Sequence, residues 1–184
     1  MNGRLQRNHQ TREVLERAVA NDPGDASALI SLMGLCNDDI FDFDCAATAA
    51  AKIDLLERTK RNPARQLDIV EIEVLAGRLT TASERLSRVL ASGNLAPHLR
   101  VVGLFYQIWL AWSADPDAAV GPGKDRWKAA LATMRERESA IRWIFGGAHA
   151  VLDGRTSRPV PKRAAELRRM LAEMERPVRA QAAR

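Results

Sequence analysis

The chain has 184 residues, 46% hydrophobic and 28% charged, which suits one domain with a buried core and makes disorder not the default. Its longest apolar run, VVGLFYQIWLAW at 101–112, is too short to span a bilayer, and the opening MNGRLQRNHQTREV lacks the apolar stretch of a secretion signal. Residues 155–184 hold nine Arg or Lys against three Glu, a balance of +6, while residues 1–154 hold 19 basic against 20 acidic groups, a balance of −1.

Periodicity and turn residues predict helices at about 10–20, 26–37, 44–61, 64–76, 79–92, 96–113, 124–136, 138–152 and 160–176. The first two are parted by Pro23 in LERAVANDPGDASAL. Between the second and third lies CNDDIFDFDC, 36–45. Asp38, Asp39, Asp42 and Asp44 have two readings, a hard-cation loop or a linking loop rich in caps. The loop lacks the glycine and terminal Glu of a calcium loop, so capping is preferred, with Asp44 as N-cap of the next helix. Cys36 and Cys45 either pair across this loop or stay reduced as small buried hydrophobes, the reduced form being favoured. As written the chain is expected to be cytoplasmic; paired cysteines, or a longer parent chain, would make it periplasmic or secreted.

In 64–76 the stripe is Leu67, Val70, Val74 and Leu75, and Asp68 and Glu71, three apart, are read as a polar ridge. In 79–92 the stripe is Leu79, Ala82, Leu86, Val89 and Leu90. Pro63 and Pro97 stand where helices begin, and Gly77 where one ends. The helix at 96–113 is apolar nearly all round and reads as core, covered by Trp127, Trp143 and Phe145; a dimer interface or partner groove is the alternative. DPDAAVGPGKD, 115–125, reads as a loop and hinge. In the last helix Leu167, Met170, Leu171 and Met174 form an apolar stripe, with Arg163, Arg168, Arg169 and Arg176 mostly off it. Such a basic amphipathic helix either caps a stack or docks on a partner or an anionic membrane. The division expected is 1–154 as the helical body and 155–184 as this tail.

Superposing Pro23 on Pro63 puts Thr11 on Ala51 and Leu15 on Leu55, and Ala82, Leu86 and Val89 repeat the spacing after Gly77. These offsets, over about residues 11–113, resemble the tetratricopeptide repeat, with Glu73 where that family has an aromatic, Arg58 where it has alanine, and a longer first loop. The resemblance implies an all-α stack of antiparallel helical hairpins with extra C-terminal helices. It also implies a concave face that binds a peptide or helix, for which Leu67, Glu71, Val74, Arg100 and Gln107 are the candidates.

Motifs for chemistry are weak. His9, His98 and His149 are scattered without metal-ligand spacing, GPGKD lacks the first glycine and hydroxyl of a phosphate loop, and no nucleophile signature is present. The expectation is a non-catalytic protein–protein adaptor without metal or cofactor, able to form homo-oligomers. The alternative is a binder of nucleic acid or an anionic surface through the tail arginines.

Overall fold

In this computed structural model, which describes residues 2–56, 62–93, 95–134 and 145–182, the side chains of 2–5 and 176–182 excepted, every regular element is helical. The helices are α1 (Asn2–Asn21), α2 (Ala26–Gly34), α3 (Phe43–Asp54), α4 (Pro63–Leu75), α5 (Leu79–Ala91), α6 (Pro97–Ala114), α7 (Gly121–Ala132), α8 (Gly146–Leu152) and α9 (Ala164–Ala182). The all-α class is observed.

Local chemistry sets the helix ends. Asp25 Oδ1 accepts the N–H groups of Ser27 and Ala28 at 2.8 and 3.0 Å, and Asn62 Oδ1 does the same for Ala64 and Arg65 in front of Pro63. Gly77, at φ 78°, closes α4 in a conformation cheap only for glycine. Asp42, not Asp44, caps α3: its Oδ1 accepts the Cys45 N–H at 3.0 Å. The left-handed turn at Phe41 (φ 58°) brings the chain into the helix early, and Asp44 is left facing outward, 2.9 Å from Arg158.

Several expected boundaries move. Beyond Gly34 the chain widens into a π-helical turn, Leu35–Ile40, closed by Asp42 N–H on the Cys36 carbonyl at 2.9 Å. This turn carries Cys36 to Cys45, and the two form a disulfide with a Cα–Cα distance of 6.0 Å. α3 ends at Asp54, whose carboxylate is held by Arg85, and Leu55 and Leu56 tighten the last turn onto Lys52 and Ile53. Its buried face is Phe43, Ala46, Ala47, Ala49, Ala50 and Ile53. Ala51 is therefore exposed and Leu55 is 76% exposed, so the repeat positions assigned to this unit miss the core, whereas Ala82, Leu86 and Val89 in the next unit reach it. The remainder of the expected helix, 57–61 with Arg58, lies outside the described residues, as do 138–144 with Trp143. Of the loop expected at 115–125, residues 115–120 are irregular, whereas GPGKD forms the first turn of α7, where Pro122 lacks an N–H the helix does not need.

Consecutive helices pack on one another from α1 to α7, and α4 also meets α6. α6 is core: the Phe105 ring stands edge-on to Tyr106, Trp109 and Phe145, and Trp127 is buried behind it. α8 breaks the order by returning to α4 and the π turn. A Cβ at Gly147 would lie 2.8 Å from Leu75 Cδ1 and 2.9 Å from Asn37 Oδ1, so a larger residue here would have to displace those side chains. α9 lays Leu167, Met170, Leu171 and Met174 inward and is tied by Lys124–Glu166 and by His149–Glu175 at 2.8 Å.

Candidate functional site

α5 turns Ala82, Leu86 and Val89 into the core and leaves Thr80, Ser83, Glu84 and Ser87 exposed. Gly103 sets the distance to α6, since a Cβ there would lie 2.7 Å from Leu90 Cδ2. Between α5 and α6 lies a groove of about 530 Å³, floored by Leu79, Leu86, Leu110 and Ala111 and lipped by Thr80, Ser83, Glu84, Ser87 and Gln107. A second groove of about 530 Å³ runs between α1 and α3, and part of its charge is paired: Arg12 binds Glu16 at 2.7 Å and Asp42 at 2.9 Å.

Beneath the surface are two polar clusters. Arg85, 5% exposed, holds Glu73 through Nε and Nη2 at 3.1 and 3.0 Å and Asp54 through Nη1 and Nη2 at 2.8 and 3.2 Å. Gln66 joins both, accepting from Arg85 at 2.8 Å and donating to Asp54 at 3.2 Å. The forked guanidinium thus bolts the end of α3 to α4 and α5. The second cluster joins Asn37 and Asp38 of the π turn, Asp68 and Glu71 of α4, and Tyr106 of α6. Burial pushes Glu71 up to about 8, helped by the Asp38 charge; Tyr106 and Asn37 beside it offset this only in part. Burial likewise raises Asp38 and Asp68 to about 6, against the Asn37 hydrogen bond and the Arg65 charge respectively. Tyr106 is raised well above the usual phenol range by burial and by Glu71. Glu71 Oε1, Asn37 Oδ1 and the Tyr106 hydroxyl have no hydrogen-bond partner among the described residues.

The expected partner-binding residues do not share one face. Leu67, Glu71 and Val74 are buried, because α6 and α8 pack on α4; Arg100 and Gln107 are half-buried, and only Gln107 lines the α5–α6 groove. Glu71 is no part of a surface ridge. Among the tail cations, Arg163 donates to the Pro116 carbonyl and reaches Asp117 and Glu166, and Arg168 binds Asp153 and the Leu152 carbonyl. Arg169 is exposed, and the side chain of Arg176 lies outside the described residues. Among the described residues no group of three or more His, Cys, Asp or Glu could hold a metal ion, and no helix is long and apolar enough to cross a membrane.

Sequence reasoning missed Arg85 and Gln66; the available signal was the charge at Arg85 inside the apolar stripe of α5, one position before Leu86. No protein-family model, curated protein or solved structure matches the chain.

Proposed function

We propose that the chain is a non-catalytic protein–protein interaction module that docks an amphipathic helix of another protein in the α5–α6 groove. The observation that supports this is the groove's make-up: an apolar floor, small residues Ser83 and Ser87 on the α5 side and Ala111 and Ala114 on the α6 side, and a lip of hydroxyl and amide groups with one carboxylate, Glu84. Small residues at spacings of three and four let a third helix sit close, and the lip orients it. This reading keeps a tetratricopeptide-like hairpin stack, with α8 against α4, and moves the docking surface outward to Gln107 and its neighbours. The nucleic-acid reading has less support, since Arg163 and Arg168 are spent on internal contacts. The Cys36–Cys45 bridge supports work in an oxidising compartment.

The test is a photocrosslinking residue at Ser83, with one at the exposed Lys128 of α7 as control, in extract of the source cells. Ser83 should yield a discrete protein adduct that Ala111→Arg removes. Identical adducts from both positions, or an adduct indifferent to Ala111→Arg, would sink the reading.

A further inference from the structure

A third cavity, of about 380 Å³, lies under the segment 158–162, between the end of α4, the Gly77 turn, the second half of α6 and Val151 of α8. Its size is that of small-molecule sites. Trp109 and Trp112 wall one side, Val74 and Leu75 another, and Pro159, Val160 and Pro161 form the roof.

The roof is a pre-formed strap. At one end Arg158 is clipped to Asp44 at 2.9 Å; at the other Arg163 Nε donates to the Pro116 carbonyl at 2.8 Å. Two prolines fix the backbone between the clips, and Val160 at mid-strap is 46% exposed. A ligand entering here orders little chain, so little of its binding energy is lost.

Charge decides what fits. The lining holds two cations, Arg158 and Lys162, and no carboxylate, whereas each of the other two grooves contains at least one. Arg158 is partly committed to Asp44; Lys162 is exposed and has no ion pair among the described residues. The indole and proline side chains of the lining suit a planar ring, although Lys124 Nζ already lies 4.6 Å over the Trp112 ring, and the cationic rim suits one negative charge.

We propose that this crevice binds a small aromatic carboxylate, its ring between Trp109, Trp112 and the proline strap and its carboxylate at Lys162.

The test is calorimetric titration of the full chain with sodium 2-naphthoate and with neutral 2-naphthol, tryptophan emission being read in parallel. Naphthoate should bind ~10-fold tighter than naphthol, the equivalent of one modest charge contact. Lys162→Glu should erase that preference and spare naphthol, and Val160→Trp, which fills the crevice from the exposed strap, should weaken both. Circular dichroism identical to the parent confirms that each variant is folded. No saturable naphthoate binding below ~1 mM, equal affinity for the two probes, or undiminished binding in folded Val160→Trp overturns the proposal.

Discussion

A carboxyl group buried beside two others binds its proton more tightly than the unfolded chain does, so its contribution to stability depends on pH. Asp38 and Asp68 at about 6 and Glu71 at about 8 all lie above their unfolded values of 3.8, 3.8 and 4.5. The stabilisation they give is complete below pH ~4 and is lost as pH rises through 6 and then 8. The melting temperature should therefore fall between pH 5 and 9, and Glu71→Gln, which cannot ionise, should flatten the upper part of the fall. A wild-type melting temperature that climbs over this range would contradict the cluster. Arg85 makes the opposite kind of site, with each carboxylate answered. Arg85→Met should cost ~3–5 kcal/mol in denaturant melts because it strands a buried Glu73 charge, and Glu73→Leu in the same chain should restore part of it. Neither site was legible in the sequence beyond its charges. A carboxylate in a helix reads as solvent-facing by default, and nothing local to Glu73 points to an arginine twelve residues on.

At the scale of elements, α5 and α3 show what periodicity reads and what it misses. The stripe Ala82, Leu86 and Val89 is buried as expected, and Ala82 is 0% exposed where helices meet. Ala82→Leu should overpack that contact, costing ~1–3 kcal/mol in thermal or denaturant unfolding; an unchanged midpoint would mean the contact is loose. The α3 register escapes periodicity because between Phe43 and Ile53 its core face is alanine, a residue that leaves a weak hydrophobic stripe, and because Leu55 is apolar but lies past the last full turn. The π turn was equally invisible, since a wide turn has no residue signature comparable to a proline. The Cys36–Cys45 bridge ties its start to α3 and closes a loop with a sequence separation of 9. Reduction should lower stability by ~2–3 kcal/mol in the chain-entropy account. Thiol counting on denatured, unreduced protein checks the premise, and two free thiols would remove it.

Across the whole molecule, the charge asymmetry plain in the sequence has an internal use. Tail arginines meet acidic groups of the body at Asp44, Asp117 and Asp153, and the apolar stripe of α9 is buried. A chain lacking 155–184 should melt earlier or aggregate, because the surface under α9 becomes an exposed apolar patch. Unchanged melting together with lost heparin retention would instead mark the tail as a detachable basic arm. The all-helical class was legible because several helices carry clear stripes bounded by Pro and Gly. The return of α8 to α4 was not, since GGAHAVL carries no sign of the distant glycine-sized gap it fills.

That return governs how such a chain can be made and varied. In a plain helical array each unit touches only its neighbours, so units can be copied or deleted and the remainder stands. Here Arg158 closes on Asp44 across 114 residues, and α8 rests on the π turn at 35–40, in the first quarter of the chain. A hairpin duplicated between the π turn and α8 would displace α8 from its seat. During synthesis the surface around residues 37–44 stays uncovered until nearly the whole chain has left the ribosome, which makes the half-made protein a substrate for holding chaperones. Changes of length over descent would then be confined to the outer turns, while the number of helices stays fixed.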